Sequence, residues 1–525
     1  MNDSITRTRI RWWPAITLLV LCGIAVAITF EWPFFHLQRR NIFFVGIGLS
    51  TLLFLLLWWI LASRTPWRLR LTVFAIALAV IGSLTAAFRL RGVTGDFVPI
   101  IEPRWSSHTP PPPPRADSIS ASDQSDRPDF PQYLGPNHNA ILDQNPVLAE
   151  DWQKSPPQIV WRQPIGIAWS GFAVAGNRAV TMEQRGDNEV VSCFDVLTGR
   201  ELWEHADPEH FTSSFGGEGP RSTPAIADGR VFTFGATGVI NCLALDSGKV
   251  IWKRDLQTDA PKGRPEWGYA GSPFVLDGNV LISAGQSHER SLFAYRVTDG
   301  DVAWHAGSQP GNYSSPAFMT LAGVPQVVMF NMVNITSHDP KTGAVLWEYP
   351  WGIRQPQIAQ PVPVGPESVV FSSGYGVGAE MLEIKRDGEG KLSAQRVWKT
   401  PNLKAKISSF VHRDGYLYGL DDGILTCLDV RDGSRKWKAG RYGHGQLLLV
   451  GSLMLITAEG GEIILLKPTV EAANELARFR IFDAKTWNPP ALSGDLLLMR
   501  TDQEAACVRL PLETGASAVP TQESR

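Results

Sequence analysis

One short phrase recurs through the chain and constrains its fold more than any other feature. Its copies are FDVLTGRELW (194–203), LALDSGKVIW (243–252), YRVTDGDVAW (295–304), HDPKTGAVLW (338–347) and LDVRDGSRKW (428–437). In every copy a glycine stands four residues before a tryptophan, and the glycines of the first four copies are separated by 43 to 52 residues. Self-similarity at such a period indicates a repeat architecture.

The repeat at residues 407–438 shows most clearly what one unit contains. Three Asp-Gly pairs, Asp414-Gly415, Asp422-Gly423 and Asp432-Gly433, divide it into four short runs rich in aromatic, β-branched and leucine residues. Asp-Gly between such runs is typical of a β-hairpin, because glycine accepts a positive φ. We therefore predict a four-stranded antiparallel meander. A sheet of this kind needs neighbours on both faces, and stacked four-stranded units at this period predict a β-propeller.

The same pattern predicts the number of units and the way in which the two ends of the domain meet. Units begin near Gly171, Arg221, Gly271, Ser314, Ala359, Ser408, Gly445 and Pro490. The last unit has only three strands, and the segment IVWRQPI (159–165) is a lone strand ahead of the first unit. We expect this strand to complete the last blade and remove an open sheet edge. The predicted fold is an all-β, eight-bladed propeller with four-stranded antiparallel blades.

Three uncharged stretches precede the propeller, at residues 12–30, 42–62 and 71–88. At 1.5 Å per residue each is long enough to cross a hydrocarbon layer of about 30 Å as an α-helix. Arginines are concentrated before the first stretch and between the second and third: Arg7, Arg9, Arg11, Arg64, Arg68 and Arg70, against Arg39 and Arg40 in the first loop. This bias predicts a cytoplasmic N-terminus. The chain is expected to be a multi-pass protein of the inner (cytoplasmic) membrane, in contact with lipid, with a periplasmic or otherwise extracytoplasmic propeller.

The domain boundaries are set by changes in composition. Residues 1–91 form the predicted membrane anchor. Residues 92–128 include five consecutive prolines and a Ser/Asp-rich run, and this composition predicts a disordered linker. The propeller is assigned to 129–515 and a disordered tail to 516–525.

The tryptophans of the repeats have an architectural interpretation. On an outer strand each indole would pack against the next blade; the predicted docking residues are Trp161, Trp203, Trp252, Trp304, Trp347, Trp398 and Trp437. Four cysteines, Cys193, Cys242, Cys427 and Cys507, precede the repeat turns. Their equivalent positions favour small buried side chains over disulfide partners.

The repeated phrase resembles the tryptophan-docking repeat, A-x-D-x-x-T-G-x-x-x-W, of the pyrroloquinoline-quinone-like (PQQ-like) propellers. That family includes quinoprotein alcohol and glucose dehydrogenases and the outer-membrane assembly lipoprotein BamB. The resemblance covers about residues 128–512. The stretches at 129–141, 183–199 and 216–248 are also similar to bacterial proteins described as PQQ-binding-like β-propeller repeat proteins.

The resemblance implies a specific chemistry only for the enzymes of the family. Enzymes of the family bind the quinone at the centre of the propeller, with Ca²⁺ held by carboxylate and amide oxygens, an aspartate base and a disulfide between adjacent cysteines. This chain has no Cys-Cys pair and no long insertions between its blades. Fold alone does not decide function.

The segments leading into the innermost strands face the propeller axis and differ from one another, so they would set the chemistry of a binding site. The residues predicted to line one mouth of the channel are Arg221, Tyr269, Tyr313, Gln357, Lys406 and His444, joined by Trp169, Glu183 and Trp267 from nearby loops. Aromatic residues beside Arg and Lys suit a protein-binding hot spot or a planar ligand equally well. The alternative for each residue is packing between blades or a solvated loop.

Composition and motifs exclude several functions. The net charge of −2, without a long basic run, gives no reason to expect a nucleic-acid partner. No HExxH, GxSxG or P-loop motif is present, and the ten histidines lack metal-ligand spacing. We expect no catalytic residue, metal or cofactor, and a scaffold that binds another protein outside the cytoplasm. The alternative is a membrane-bound dehydrogenase that uses PQQ and Ca²⁺. Sensing of a small ligand is a third hypothesis, which the sequence does not separate from the first.

Overall fold

The structure is a computed structural model that describes residues 10–32, 37–105, 127–213, 216–261, 264–285, 290–307, 309–352 and 354–513. The chain divides into two compact units, Met1–His108 and Thr109–Arg525.

The first unit contains three apolar helices: α1 (Trp13–Glu31), α2 (Leu37–Ala62) and α3 (Trp67–Ala87). Their mean hydropathies of 2.2, 2.3 and 2.0 and their lengths allow each to cross a membrane. Most of their large apolar side chains are exposed, as expected for surfaces that lipid covers. The predicted apolar helices are therefore present. Both α2 and α3 begin a few residues before the uncharged stretches, because a helix continues into flanks whose long basic side chains reach the interface.

A β-hairpin follows α3 directly, with strands Phe88–Val93 and Pro99–Pro103. It occupies the first part of the segment 92–128, for which the sequence predicted disorder, and corrects that prediction for residues 92–103. The prediction of disorder was based on the Pro- and Ser-rich residues further along the chain. It did not use the apolar alternation around Leu90 and Ile101, which indicates strands. Residues 106–126, with the five prolines, and 516–525 lie outside the described residues.

The second unit is built from eight antiparallel sheets in the part of the chain that the structure describes. Each has four strands that follow one another, apart from the last sheet. From the innermost strand outward, sheet 1 consists of Ala173–Ala175, Arg178–Arg185, Asn188–Asp195 and Glu201–Asp207; sheet 2 of Ala225–Ala227, Arg230–Phe234, Val239–Ala244 and Val250–Asp255; sheet 3 of Phe274–Leu276, Asn279–Ser283, Leu292–Arg296 and Val302–Ala306; and sheet 4 of Ala317–Leu321, Val324–Phe330, Asn334–His338 and Val345–Pro350.

The second half of the propeller repeats this plan. Sheet 5 consists of Val362–Pro363, Ser368–Ser373, Gly378–Arg386 and Leu392–Thr400; sheet 6 of Val411–Arg413, Tyr416–Asp421, Ile424–Asp429 and Arg435–Arg441; sheet 7 of Gln446–Val450, Leu453–Thr457, Glu462–Leu466 and Glu475–Arg480; and sheet 8 of Ala491–Ser493, Leu496–Arg500, Glu504–Arg509 and Gln158–Pro164. Small additions are the strand Ile141–Leu142 beside sheet 7, the ladder Thr212–Ser213 with Gly217–Glu218, and the helical turn Leu256–Asp259.

The two ends of the propeller meet in sheet 8. Its outermost strand, Gln158–Pro164, comes from the N-terminal side of the domain and pairs antiparallel with Glu504–Arg509, so that Trp161 stands opposite Cys507. The predicted closing strand is confirmed. The innermost strand of sheet 8 also contacts that of sheet 1.

Hydrogen bonds near the axis join neighbouring sheets all the way round. Gly171 N donates to Thr223 Oγ1 (3.2 Å), Thr223 N to Ser272 Oγ (3.0 Å), Ser272 N to Ser315 Oγ (2.8 Å), Tyr313 N to Gln357 O (3.2 Å), Gln360 N to Ser409 Oγ (3.2 Å), Gln446 Nε2 to Ile407 O (2.9 Å) and Trp487 O (2.8 Å), and Asn488 Nδ2 to Ala168 O (3.1 Å). This series runs from sheet 1 to sheet 8 and back, so the arrangement is radially closed.

The repeated phrase docks each sheet on the next one. Indole N–H groups donate to backbone carbonyls of the following sheet: Trp161 to Val196 (2.7 Å), Trp203 to Leu245 (2.8 Å), Trp252 to Val297 (2.9 Å), Trp304 to Pro340 (3.2 Å), Trp398 to Val430 (2.8 Å) and Trp437 to Thr469 (2.9 Å). A Cβ at Gly199 would lie 2.8 Å from the Trp161 ring. The turn glycine is therefore required both for its positive φ and for the flat contact with the indole.

Trp347 is an exception among the predicted docking residues. Its indole N–H donates to Gln326 Oε1 at 2.5 Å, within its own sheet, although the side chain is buried. In the next sheet the corresponding turn, residues 387–391, lies between two nine-residue strands and lacks the short repeat phrase. The cysteines Cys193, Cys242, Cys427 and Cys507 are buried and free, as predicted.

The N-terminal segment, residues 127–152, crosses one end of the propeller. Its contacts are Phe130 with Val174, Pro131 O with Ile226 N (2.7 Å), the His138 ring with Phe274 (5.0 Å), Asp143 with Arg413 (2.6 Å), Ala140 O with Leu449 N (2.8 Å) and Asn145 with Gly494 O (3.0 Å). These partners lie at or next to the turns between the first and second strands of their sheets. Phe130, Tyr133, Leu142 and Trp152 are buried in the largest core cluster.

Candidate functional site: the axial mouth

The opposite end of the propeller gathers aromatic and cationic side chains around the axis. The segments that lead into the innermost strands start there, and so do the turns between the second and third strands. We define the axial mouth as Trp169, Arg221, Trp267, Tyr313, Tyr375, Lys406, His444, Glu459, Lys485 and Trp487. The contacts among these residues can be followed round the axis.

Two tryptophans from adjacent sheets form the first part of the mouth. The rings of Trp169 and Trp487 are 5.0 Å apart. Lys485 Nζ lies 4.5 Å from the Trp169 centroid and 3.9 Å from the Trp487 centroid. An ammonium group over two indole faces is an attractive cation–π arrangement. It holds a positive charge against the two indole rings at the mouth.

A glycine-rich loop brings the next residues together. Trp169 Nε1 donates to Gly216 O at 2.6 Å. A Cβ built on Gly216 would lie 2.9 Å from Arg221 Nη2 and 3.7 Å from Trp267 Cγ. A larger residue at this position would displace the Arg221 guanidinium from its place beside the loop.

Arg221 is the cation at the centre of this group. Its guanidinium donates to Gly217 O at 2.9 Å and to Gly219 O, and it lies over the Phe211 ring at 4.6 Å. Among the described residues it forms no ion pair with a carboxylate. Burial lowers the pKa of Arg221 to about 10, and the charge of Glu189 opposes this shift. The side chain is therefore still a cation at neutral pH.

The aromatic series continues on the other side of Arg221. The rings of Trp267 and Tyr313 stack at 5.3 Å, and Trp267 N donates to the Tyr313 hydroxyl at 3.3 Å. Burial raises the pKa of Tyr375, and the Tyr313 phenol adds to this rise. Lys406 Nζ lies 5.0 Å from the Tyr375 centroid. This is a second contact between an ammonium group and an aromatic ring at the mouth.

The carboxylate of Glu459 completes the series of contacts around the axis. Glu459 Oε2 accepts from His444 N at 3.0 Å and Glu459 Oε1 accepts from Trp487 Nε1 at 2.9 Å. Burial raises the pKa of the neighbouring Asp422, while the charges of Lys404, His444 and Lys406 oppose the rise. Glu459 therefore positions Trp487, and Asp422 is a second carboxyl group close to Lys406 and His444.

The nine residues selected from the sequence fall into two groups. Trp169, Arg221 and Trp267 are half-buried, whereas Glu183, Tyr269, Tyr313, Gln357, Lys406 and His444 are buried. Tyr313, Lys406 and His444 nonetheless belong to the axial mouth.

Two of the nine, Glu183 and Tyr269, are held by partners in the interior and correct the prediction, and a third, Gln357, is fully buried. Glu183 is part of the strand Arg178–Arg185, not of a loop, and its carboxylate accepts from Arg185 (2.7 Å) and Ser192 inside the sheet. Tyr269 packs on Phe234 at 5.0 Å and its hydroxyl accepts from Gln257. The amide of Gln357 is fully buried, and neither its oxygen nor its nitrogen has a hydrogen-bond partner within the described residues.

Sequence reasoning missed Tyr375, Glu459, Lys485 and Trp487. Trp487 precedes the innermost strand of sheet 8, where the same rule that selected Trp169 would have found it. Tyr375 and Glu459 lie in turns between second and third strands, which reach the same end of the sheet because antiparallel strands alternate in direction. The position of Tyr375 and Glu459 in these turns could therefore have identified both residues from the sequence.

The donor set of the mouth does not fit the calcium ion of the quinoprotein enzymes. In the described ranges no group of three or more His, Cys, Asp and Glu side chains is placed to hold a metal. Both oxygens of Glu459 are engaged by N–H donors. Ca²⁺ prefers six to eight oxygen ligands, including carboxylates. The four propeller cysteines lie in different sheets, so none forms a pair with an adjacent cysteine.

Glu189, next to this site, is expected to make stability depend on pH. Its Oε1 accepts from Ala236 N at 3.0 Å between sheets 1 and 2, and burial raises its pKa to about 7. The charges of Glu209 and Asp207 raise this pKa further and that of Arg221 lowers it. The folded state thus binds the proton more tightly than the unfolded chain. The free energy of unfolding should fall as pH rises through the interval from about 4.3 to about 7, by about 3 kcal/mol.

Urea denaturation at pH 5 and pH 8 checks this expectation. The wild type should lose stability relative to the Glu189→Gln variant between the two pH values, because glutamine keeps the shape and does not ionise. Parallel pH profiles of the two proteins would contradict the assigned role of Glu189.

Comparison with known proteins finds similarity to one family over slightly less than half of the chain. Residues 186–439 match the family model described as outer membrane protein assembly factor BamB. The chain is 22% identical over 361 residues to the BamB protein of Burkholderia pseudomallei (strain K96243), which covers 66% of this chain and 85% of that protein. It is 23% identical over 265 residues to the quinohemoprotein alcohol dehydrogenase ADH-IIG of Pseudomonas putida, covering 47% of this chain but only 32% of the enzyme.

A solved structure agrees on the fold. A europium-containing methanol dehydrogenase aligns with a TM-score of 0.54 and 13% sequence identity, over 72% of this chain and 98% of that one. At this identity the likeness concerns the fold alone. The relatives thus include both an assembly factor and dehydrogenases.

Proposed function

We propose that this chain is a membrane-anchored scaffold that binds another protein through its axial mouth, and the similarity of its propeller to the BamB proteins supports this proposal. Helices α1–α3 hold it in the inner membrane with a cytoplasmic N-terminus, and the propeller works outside the cytoplasm. It performs no catalysis, and it needs neither PQQ nor Ca²⁺.

The observation that carries this proposal is the composition of the mouth. Trp169, Trp267 and Trp487 are half-buried there, beside Arg221 and Lys485. Tryptophan, tyrosine and arginine are the residues most enriched in protein-binding hot spots, because they offer large contact areas at a low entropic cost. The N-terminal segment, residues 127–152, occupies the other end of the axis, which leaves the mouth as the end with accessible aromatic faces.

The charge of the mouth supports binding rather than redox chemistry. A quinone site of the enzymatic type needs a calcium ion and an ionised aspartate base, whereas Glu459 is engaged by two N–H groups and Arg221, Lys406 and Lys485 are cations.

Photo-crosslinking in the protein's own membranes tests the proposal. A benzophenone side chain at Tyr375, which is half-buried at the mouth, should give a discrete adduct with another protein. The same group at Lys249, exposed in a turn at the opposite end, serves as the control. Combining the Tyr375 label with Arg221→Ala and Lys485→Ala should abolish the adduct while circular dichroism stays unchanged. Equal adducts from both positions would contradict a specific mouth.

The alternative function is a membrane-bound PQQ-dependent quinoprotein dehydrogenase, for which the similarity to the P. putida enzyme is the supporting observation. Titration of the detergent-solubilised full chain with PQQ and Ca²⁺ separates the two hypotheses. We expect no absorbance change and no thermal stabilisation. Tight binding followed by dye reduction with an alcohol substrate would replace the scaffold with the enzyme.

A further inference from the structure

The hairpin after α3 presents one apolar and one charged face. In the register of its two strands, Leu90 stands opposite Ile101 and Arg89 opposite Glu102. Leu90 is 67% exposed and Ile101 64% exposed, and Phe88 is exposed on the same face. On the other face Arg89 and Glu102 form an ion pair at 3.8 Å. Alternation along a strand places these sets on opposite sides.

The hairpin is fixed at the ends of two apolar helices. It begins at Phe88, immediately after α3 ends, and Arg104 N donates to Ala87 O at 2.8 Å. Arg104 Nε donates to Thr85 O at 3.1 Å, which satisfies a carbonyl in the last turn of α3. At the hairpin tip, Asn41 Nδ2 donates to Asp96 O at 2.8 Å and ties the tip to the first turns of α2. The hairpin thus extends from the end of α3 to the start of α2.

Neither water nor hydrocarbon alone suits this element. A single two-stranded hairpin is marginally stable in water, and here its apolar face would remain uncovered. Inside hydrocarbon its two unpaired strand edges would lose hydrogen bonds to water. The interface between headgroups and acyl chains provides a cover for the apolar face and water for the edges. Trp105 is 71% exposed, its ring is tilted against that of Phe88 with the centroids 6.0 Å apart, and tryptophan is a side-chain type that is enriched at that depth.

We propose that residues 88–105 form a membrane-surface hairpin that lies in the lipid–water interface on the propeller side of the bilayer. Phe88, Leu90, Ile101 and Trp105 contact lipid, and the Arg89–Glu102 pair faces water. The continuity of this apolar face with α3 is the reason for assigning lipid as its partner. The proposal rests on the membrane anchorage by α1–α3 proposed above.

The hairpin gives the chain a defined exit from the membrane. Without it, the linker would begin at the last turn of α3. With it, the chain runs along the bilayer surface for two strands, and the linker starts at residue 106 from a fixed position in the headgroup layer. Amphipathic elements in this position penetrate about 5–10 Å.

Spin-label accessibility tests the orientation residue by residue. Single nitroxides at positions 89, 90, 101 and 102 are introduced into full-length protein carrying Cys22→Ser and reconstituted in phosphatidylcholine/phosphatidylglycerol vesicles. The remaining cysteines are buried in the propeller. We expect labels at 90 and 101 to collide mainly with oxygen, which concentrates in lipid, and labels at 89 and 102 mainly with a water-soluble nickel chelate.

A label at Leu53, exposed in the middle of α2, separates the two proposals. If Leu53 reports lipid but all four hairpin positions report water, the hairpin proposal is overturned and the anchorage stands. If positions 90 and 101 are shielded from both reagents, the apolar face is covered by protein and the hairpin proposal is equally overturned. If Leu53 itself reports water, the anchorage fails.

Discussion

Replacing Arg500 with methionine is expected to lower the free energy of unfolding of the propeller by about 3 to 5 kcal/mol. Arg500 is the largest fully buried side chain in the described part of the protein. It lies on the second strand of sheet 8 and reaches across to sheet 1. The hydrogen bonds that it donates within the described residues all go to neutral acceptors, and the charges of Glu183 and Asp502 also favour its charged form.

The expected size follows from those acceptors. Arg500 Nη1 donates to Thr181 Oγ1 (3.0 Å) and Met182 O (3.1 Å), and Nη2 donates to Gly166 O (2.7 Å). Burial lowers the pKa of Arg500 to about 10, so the group is still charged at neutral pH. Methionine would remove the donor to three carbonyls, those of Gly166, Met182 and Thr501, and a buried carbonyl without a donor costs about 1–3 kcal/mol. It would also not fill the volume of the guanidinium.

Arg509→Met is the matched control in the same sheet. Arg509 pairs with Asp495 at 3.1 Å and its side chain is 31% exposed. An ion pair of this exposure contributes about 0–1 kcal/mol. Chemical denaturation of the two variants and the wild type measures the difference. Equal losses for the two variants would show that Arg500 does not join the two sheets as described.

The repeat phrase was sufficient to predict the sheets because it encodes local geometry. Gly199 and Gly343 have φ values of 69° and 75°, and each supports the turn that the phrase predicts. The tryptophan four residues later lies on the outermost strand, as the spacing requires. The closing role of residues 158–164 could also be predicted. The last unit lacked one strand, and this segment was a single strand without a unit of its own.

The residues of the axial mouth were harder to predict from the sequence, because they come together only when the ring of sheets closes. Trp169 and Trp487 are 318 positions apart in the chain and meet only because sheets 1 and 8 are neighbours. Glu183 was misplaced for a local reason: the strand Arg178–Arg185 continues past the predicted loop and turns this side chain inward. The N-terminal segment, residues 127–152, has little regular secondary structure, so periodicity gave no signal for it.

Trp161→Ala is the second substitution with a large expected effect, a loss of about 3 to 5 kcal/mol in the free energy of unfolding. Trp161 is buried on the closing strand, and its ring lies flat on Gly199 of sheet 1. Alanine would leave a cavity between sheets 8 and 1 and remove the donor to Val196 O. Trp437→Ala is the control, since Trp437 holds the same repeat position but is only half-buried. Its expected loss is smaller, about 1–2 kcal/mol.

Amide hydrogen exchange distinguishes loss of closure from a general loss of packing. The strand Gln158–Pro164 is held in sheet 8 by its ladder to Glu504–Arg509 and against sheet 1 by Trp161. Without the indole, its amides should exchange faster than those of the outermost strand of sheet 6, because the closing strand separates before the sheet unfolds. In Trp437→Ala the order should reverse. Uniform acceleration across both sheets in either variant would mean that the ring opens as one cooperative unit and that Trp161 has no special part in its closure.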